Sequence, residues 1–585
     1  MRYFVLVRNL QCRGGSNLIK AANGEWGQWG MRPMGNEEGT MRNLMLFMAL
    51  ALVGCGQLPA SPERAASERA DVAGERALVT LSTGANIAGA NGIHFGPDGL
   101  LYVTSVIGSD MTVLNPDTGE VVRRFTAADG VIGPDDVAFA SDGSYYWTSI
   151  LTGEVAGFDP AGRKVIAAQL APGPNPITFS NDDRLFVSQC FLGTNLYELD
   201  PAGIVQPRIV ADDLGPGCGL NGMDWGPDNR LYGPRWFVGE VVSFNVDTGE
   251  RRVEASDFVT PAAVKFDSQG VLHVLDTGAG TVVRVTNDAK TVVATLEPGL
   301  DNFHFDADDR LFVSSFVDGF VKRVNADGSL TTLQPGGMAH PGGVAVIGDT
   351  VWVADIHAIR GFDRHTGAAV ATQRNVVGVG EMGGAINLAA DGENLILVSW
   401  FDNDVRVWDP TNRSRVAEFS DLAVPVAAVR FGGGVAIAEH ATGSVTLYGT
   451  GEPILLASEL EAPTGLVSVS GELYVSDRAT GRIWKIASEG LALSEPQMLA
   501  SGLDAPEGFL IADGAIIVVE SAASRVVEIA SNGDRTVLAE FPAGSPAAAA
   551  APPSQVFNGI AMAADGSLYV TGETTRELYR IAASK

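Results

Sequence analysis

Short runs of alternating apolar and polar residues, separated by turn residues, fill the chain from residue 77 onward. The first complete unit starts at Asn91 and ends at Phe125, with the sequence NGIHFGPDGLLYVTSVIGSDMTVLNPDTGEVVRRF. Gly, Pro, Asn and Asp bound the runs GIHF, LLYVTS, MTVLN and EVVRRF, which predicts four short antiparallel strands. One such unit has too little core to be stable alone, so other units must stack on it.

The same unit recurs along the whole chain. Inner hairpins reappear as FASDGSYYW, FSNDDRLFV, WGPDNRLYG, FDADDRLFV and MAADGSLYV, and the spacing between units runs from 37 to 51 residues. This period is typical of four-stranded propeller blades and is longer than a leucine-rich or ankyrin repeat. Twelve units are predicted, with first strands starting at Asn91, Asp135, Asn175, Asn221, Ala262, Asp301, Gly342, Gly384, Ala427, Thr464, Glu507 and Asn558.

The predicted fold is all-β, with twelve four-stranded blades arranged as two tandem six-bladed β-propellers. Rings usually have four to eight blades, which favours two rings over a single ring of twelve, although the single ring stays open. The last unit lacks an outermost strand, and residues 77–82 form a spare strand. We expect this strand to close blade six, which frees Leu330–Leu333 to close blade twelve. The predicted domains are therefore residues 77–329 and 330–585.

The N-terminal segment carries the features of an export signal. Met41-Arg42-Asn43 is a short positive head, Leu44–Leu50 is an apolar core, and Leu52-Val53-Gly54-Cys55 resembles the bacterial lipobox. The apolar run is too short to span a membrane. We expect residues 1–54 to be an upstream segment and signal peptide, with Met41 as a candidate start, and Cys55 to be lipidated. Residues 55–76 are then a flexible tether to a bacterial membrane, the outer membrane if the host is Gram-negative.

The net charge of the chain narrows the classes of partner that it can bind. The net charge of −29 disfavours nucleic acid, because its phosphates would be repelled, and leaves basic ligands and divalent cations open.

Cys190 and Cys218 fall in loops of neighbouring blades on the same face. In an exported chain they predict a disulfide, with two separate buried thiols as the alternative. Closing a loop of this length would contribute about 3–4 kcal/mol.

The first residue of each innermost strand faces one mouth of a propeller channel. In the first ring these positions hold Asn91, Asp135, Asn175, Asn221, Ala262 and Asp301. Amide and carboxylate oxygens are hard ligands suited to Ca²⁺ or another divalent cation, so a metal is expected in this ring. The alternative is that these groups bond only to loop backbone. The second ring is poorer in such groups.

The repeat period, the DG-x-LYV hairpins and the Asn-Gly-apolar strand openings resemble the SMP-30/gluconolactonase and NHL-repeat group of six-bladed propellers. That resemblance implies a channel metal held at strand starts, with Asn91, Asn175 and Asn221 in comparable places. It also implies a hydrolase or lactonase activity. Asn91 stands where the family has a glutamate and Ala262 where it has its basic aspartate, so Asp135 or Asp301 would have to be the general base.

A second set of polar residues ends the second strands near the same mouth. It contains Arg235 and Trp236 in the first ring and Asp355, Glu439, His440, Asp477 and Glu520 in the second. These residues suit either ligand contact or the capping of turns. The sequence therefore predicts a membrane-anchored extracytoplasmic module that binds a protein or a small molecule. The alternative is a metal-dependent hydrolase with its site in the first channel.

Overall fold

A computed structural model describes residues 76–286, 289–377, 379–542, 557–572 and 575–584. These residues form twelve four-stranded antiparallel sheets, each with its strands in meander order. Outside the described residues lie the signal segment, Cys55 and the tether up to residue 75. So does most of the Ala- and Pro-rich run PAGSPAAAAAPP, residues 542–553. None of the helices in the described part of the chain is long and apolar enough to cross a membrane.

The first ring contains six consecutive blades. Its strands are β2–β5 (Ile93–Phe95, Leu101–Ser105, Asp110–Leu114, Val121–Phe125), β6–β9 (Pro134–Phe139, Tyr145–Ser149, Glu154–Phe158, Lys164–Gln169), β10–β13 (Pro174–Phe179, Leu185–Gln189, Leu196–Leu199, Arg208–Ala211), β14–β17 (Asp224–Trp225, Leu231–Arg235, Glu240–Phe244, Arg251–Ala255), β18–β21 (Pro261–Phe266, Leu272–Asp276, Thr281–Thr286, Ala289–Thr295) and β22–β25 (Leu300–Phe305, Leu311–Ser315, Val321–Val324, Leu330–Gln334). A short 3-10 turn covers Ala127–Asp129 in this ring, and another covers Ser521–Ala523 in the second ring.

The second ring repeats the arrangement. Its strands are β26–β29 (Val344–Ile347, Thr350–Asp355, Ala358–Asp363, Ala369–Arg374), β30–β33 (Asn387–Asp391, Asn394–Ser399, Asp404–Asp409, Ser414–Phe419), β34–β37 (Pro425–Phe431, Gly434–Glu439, Ser444–Tyr448, Ile454–Ala457), β38–β41 (Pro463–Val469, Glu472–Asp477, Arg482–Ser488, Leu491–Ala500), β42–β45 (Pro506–Ala512, Ala515–Glu520, Arg525–Ile529, Arg535–Glu540), and β46–β48 (Ile560–Met562, Leu568–Gly572, Glu577–Ile581) with β1 (Leu78–Ser82).

Hydroxyl groups on several second strands donate hydrogen bonds to the next blade, and two of these bonds show how each ring closes. Within the first ring, Thr104 Oγ1 donates to the carbonyl of Asp135, and in the second ring Ser476 Oγ donates to the carbonyl of Glu507. Ser314 in the sixth blade donates in the same way to Asn91 in the first blade, at 2.6 Å. Thr571 in the twelfth blade donates to Gly342 in the seventh. The predicted two rings of six blades are therefore confirmed.

Apolar side chains between neighbouring blades form the core. The second strands are almost wholly buried, as in Leu101–Ser105, whereas outermost strands such as Val121–Phe125 are mostly exposed. Ile93 and Leu101 of the first blade pack against Phe312 of the sixth, so the seam of the first ring is apolar as well. The alternating sequence pattern therefore decides which faces of each blade are covered by its neighbours.

The predicted exchange of closing strands is wrong. Strand β1 pairs with β48 in the twelfth blade, with Val79 opposite Arg580, and β25 pairs with β24 in the sixth. A tight turn at Asn325, closed by a 2.8 Å hydrogen bond from Gly328 N, directs β25 straight back onto its own blade. A local hairpin needs no long loop closure, so the first ring is completed by consecutive strands and the second by the N-terminal strand.

Two of the predicted strand starts in the second ring are also misplaced. Gly343 N bonds to the carbonyl of Ile386, as Gly92 N bonds to that of Asp135, so Ile386 and not Gly384 begins the eighth blade. In the ninth blade Val426 lies in the bulge between Pro425 and Ala427, as Ala262 does between Pro261 and Ala263 of the fifth blade, so Val426 is the first residue and Ala427 the second. Both corrected positions carry larger apolar side chains than the predicted glycine and alanine, so the number of polar strand starts in the second ring is unchanged.

Candidate functional site

Three polar side chains converge at one mouth of the first channel. Asn91 Nδ2 lies 3.4 Å from Asp301 Oδ1, which joins the strand starts of the first and sixth blades. Asp135 stands at the same position of the second blade and interacts electrostatically with Asp301. We call Asn91, Asp135 and Asp301 the first-ring mouth. The sequence predicted these residues because five of the six strand starts in this ring are polar.

Burial favours the protonated form of both carboxyl groups of the first-ring mouth. Burial raises the pKa of Asp135 well above its ordinary value, and the negative charges of Asp301 and Asp136 raise it further. Burial also raises the pKa of Asp301 to about 8, helped by Asp136 and opposed by the hydrogen bond from Asn91. Two acids that share a buried site cannot both ionise easily, and a cation between them would relieve that repulsion.

The other predicted ligands at this level are less available. The amide oxygen of Asn221 accepts a hydrogen bond from Gly222 N at 2.9 Å, and that of Asn91 accepts one from Val106 N at 3.0 Å. Asn175 of the third blade is buried, and Ala262 of the fifth blade supplies no side-chain oxygen. The carboxylates fit a divalent cation, whereas Asn91 and Asn221 would have to give up backbone partners to ligate one. No three His, Cys, Asp or Glu side chains among the described residues form a group able to hold a metal.

One residue further along the strands, Asp136 links three blades. Its carboxylate accepts hydrogen bonds from Val137 N at 2.9 Å and from Ile177 N at 3.3 Å, and Asn302 Nδ2 approaches it at 3.5 Å. Burial raises the pKa of Asp136 to about 6, against the opposing effect of the Lys265 ammonium. This layer therefore supports the first-ring mouth from below.

A further polar layer deeper in the channel was not predicted. Lys265 Nζ donates to the carbonyl of Met223 at 3.0 Å, and its positive charge opposes the burial that raises the pKa of Asp224. His94 and His304 stack with ring centroids 4.1 Å apart. Burial lowers the pKa of His94 to about 4 and that of His304 well below its ordinary value, so both imidazoles are neutral beside the ammonium. The signal was present in the sequence as a polar residue at the fourth position of these strands.

The acids that end the second strands of the second ring form hydrogen bonds with the loops of that ring. Asp355 accepts hydrogen bonds from Ala339 N and His340 N, and Asp477 accepts them from Glu461 N and Ala462 N. Glu439 accepts hydrogen bonds from Ala423 N and from the Tyr448 hydroxyl. Glu520 accepts them from Asp504 N and from the Arg525 guanidinium. These contacts favour the turn-capping alternative over an open ring of acids.

Other predicted mouth residues lie in different surroundings. Arg235 pairs with Glu240 at 2.6 Å, and Trp236 Nε1 donates to the carbonyl of Val377 in the second ring at 3.0 Å. Trp236 is therefore part of the contact between the rings. Burial lowers the pKa of His440 to about 4, which keeps it neutral.

Cys190 and Cys218 are joined by a disulfide, with Cα atoms 3.9 Å apart. Their backbones also form an isolated antiparallel bridge between the third and fourth blades. The bond lies in a core cluster with Trp236, next to the contact between the rings. It therefore fixes the loops that carry that contact.

The chain matches no known family and no curated protein. Among solved structures it is similar to virginiamycin B lyase from Staphylococcus aureus, at 14% identity and a TM-score of 0.35, over 48% of this chain and 96% of that one. It is also similar to the extracellular domain of a B. thetaiotaomicron protein described as a one component system. That likeness has 11% identity and a TM-score of 0.29, over 87% of this chain and 77% of that one. Fold and site together define a tandem β-propeller with a polar channel mouth in its first ring.

Proposed function

We propose that the protein is an extracytoplasmic binding module, anchored to a bacterial membrane through a lipid on Cys55. Its first-ring mouth receives a cationic group, either a divalent cation such as Ca²⁺ or the amine of a small molecule or protein. One observation carries this proposal: Asp135 and Asp301 are two buried, interacting acids at the same level of the channel, and Asn91 donates a hydrogen bond to Asp301. A net charge of −29 adds long-range attraction for cations.

Such a site takes up a cation in exchange for protons. Because the pKa of Asp301 is about 8, ionising the pair at neutral pH is unfavourable until a cation compensates the charge. The affinity is therefore expected to increase as the pH rises from 6 to 9. A site made only of exposed carboxylates, with ordinary pKa values near 4, would not change over this range.

Titration calorimetry with CaCl₂, MgCl₂ and butylammonium chloride tests the proposal on the full chain. We expect saturable binding of at least one of these cations, which weakens at least tenfold in Asp301→Asn and Asp135→Asn. Asp117→Asn is the matched control, because that carboxylate lies on the outer surface and pairs with Arg310. Equal affinity in all three variants, or no binding at pH 9, would contradict the proposal that a cation binds at the first-ring mouth.

A metal-dependent hydrolase or lactonase of the SMP-30/gluconolactonase type is the second candidate. The pKa of Asp301, about 8, favours it, because a general base works best with a pKa close to the working pH. In that case Asp301 or Asp135 would take the proton from the attacking water. A panel of lactones and esters, assayed with added Ca²⁺, Mg²⁺, Mn²⁺ or Zn²⁺, separates the candidates. Turnover that Asp301→Asn abolishes would support the enzyme, and binding without turnover would support the module.

A further inference from the structure

The channel of the second ring is apolar at a level where that of the first ring is mostly polar. At the fourth position of the innermost strands, the first ring places His94, Ala138, Thr178, Asp224, Lys265 and His304. The corresponding residues of the second ring are Ala345, Ala389, Val429, Val467, Leu510 and Ala561. The same fold therefore surrounds its two axes with opposite chemistry.

These residues line a cavity of about 270 Å³ along the axis of the second ring. Of the described residues that line it, only Asn387 and Ser468 carry polar side chains. Both hydrogen-bonding ends of the Asn387 amide are occupied, since Nδ2 donates to the carbonyl of Val426 and Oδ1 accepts from Leu388 N. The side chains of the wall are therefore almost all apolar, and backbone groups supply the rest of its polar surface. We call this space the second-ring pit.

A polar cluster closes the pit at the strand-start end. Glu507 accepts hydrogen bonds from Arg478 Nε at 3.1 Å and from Asn558 Nδ2 at 2.7 Å. All three side chains are buried, and Ile386 and Val426 fill the opposite side of the same level. A molecule cannot pass this level without displacing a buried ion pair, so the pit is blind at this end.

The other end of the pit is open to solvent. Val429, Val467 and Leu510 are half-buried, and Met562 at the rim is 41% exposed. Arg430, which follows Val429, forms an ion pair with Asp391 at the end of the neighbouring innermost strand, so charged side chains follow the apolar wall on these two strands. An apolar pit with a polar border is the usual form of a site for the apolar part of a ligand.

The side chains of the wall offer water few hydrogen bonds. An apolar cavity of about 150 Å³ already stays dry and takes up small apolar molecules. The second-ring pit has nearly twice that volume and is lined mainly by Ala, Val, Leu, Ile and Phe side chains, so it has room for part of an aliphatic chain.

We propose that the second-ring pit binds the aliphatic chain of an amphiphile, with the polar head left at the rim. This site is separate from the first-ring mouth and does not depend on the function proposed for it. A free alkyl compound and the acyl chain of a membrane lipid share this chemistry, so the test distinguishes the two sources.

The test uses the full chain with Cys55→Ser, which removes the predicted lipid and the need for detergent. Neutral n-alkanols from hexanol to tetradecanol are titrated by calorimetry. We expect saturable binding that strengthens about fourfold for each added methylene and then levels off once the pit is full. Ala389→Phe reduces the space inside the pit, so the plateau should be reached at a shorter chain. Val416→Phe adds the same ring to the exposed outer strand of the same blade and should change nothing.

A second variant keeps the proposal testable if Ala389→Phe does not fold. Val467→Asp places a carboxylate in the pit and should weaken alkanol binding at least tenfold, with the far-ultraviolet circular dichroism unchanged. Flotation with phosphatidylcholine vesicles that Ala389→Phe abolishes would assign the chain to a membrane lipid, and alkanol binding without flotation would assign it to a free amphiphile. No saturable binding, or binding that ignores both pit variants, would overturn the proposal.

Discussion

Arg360 offers the sharpest test of how the two rings are joined. It lies on β28 of the second ring, and its guanidinium donates to Asp355 of the same blade. The same group reaches into the first ring, to Asp318 at 3.0 Å and to the carbonyl of Val317 at 2.9 Å. The side chains of Arg360, Asp355 and Asp318 are only 7%, 0% and 5% exposed.

Replacing Arg360 with Met leaves two buried carboxylates without their shared cation. Removing one partner of a buried ion pair typically costs about 3–5 kcal/mol. Both acids keep other partners, since Asp318 still binds Arg374 at 2.7 Å and Asp355 still binds two backbone N–H groups. We therefore expect a loss of about 3 kcal/mol, at the lower end of that range. For a ring of this size this corresponds to a fall in Tm of roughly 6–12 °C.

Thermal unfolding followed by circular dichroism measures the effect. Arg360→Lys keeps the charge but not the planar fork, so its Tm should lie between those of the wild type and Arg360→Met. Arg415→Met is the control, because Arg415 pairs with Glu418 on the surface and such pairs contribute about 0–1 kcal/mol. If Arg360→Met unfolds at the same temperature as Arg415→Met, the buried network does not hold the rings together.

The disulfide, the first-ring mouth and the pairing of β1 with β48 can each be tested separately. Reduction of the Cys190–Cys218 bond, which closes a separation of 28 residues, should lower the free energy of unfolding by about 3–4 kcal/mol in urea titrations with and without dithiothreitol. The pKa of Asp301 is raised from 3.8 to about 8 in the folded protein, so the native state holds this proton more tightly than the unfolded chain. Stability should therefore fall as the pH rises from about 4 to about 8, by at most ~1.4 kcal/mol per unit, and Asp301→Asn should flatten this profile and be the more stable protein at pH 8. A cysteine pair at Val79 and Arg580, which face each other across β1 and β48, should oxidise in air, whereas Val79→Cys with a cysteine on the sixth blade should not.

The repeated pattern was sufficient to predict most of the fold. Turn residues and alternating apolar positions are local signals, and they determine the strands and the number of blades. The closure of the rings was predicted with the wrong strands, because two similar edge sequences, Leu78–Ser82 and Leu330–Gln334, compete for two similar vacant edges. Only the short turn at Asn325, which makes the local pairing easier, decides between them.

The candidate site was predicted in part, for a related reason. Strand starts such as Asp135 and Asp301 are recognisable because every blade has one. The deeper layer with His94 and Lys265 was missed, because alternation along a strand does not say which polar residue faces the axis. For the acids of the second ring, the function depends on neighbours from other blades, as for Asp355 with Ala339 N and Arg360. A one-dimensional pattern does not contain these contacts.

The first-ring mouth is proposed to exchange protons for a cation, and this exchange can be measured directly. Calorimetric titration with CaCl₂ at pH 7, in two buffers with different ionisation enthalpies, counts the protons released on binding. We expect about one proton for each bound ion, because at least one of Asp135 and Asp301 is protonated before binding. Asp301→Asn should release fewer protons and bind more weakly. Calcium binding without proton release, or release unchanged in Asp301→Asn, would contradict the claim.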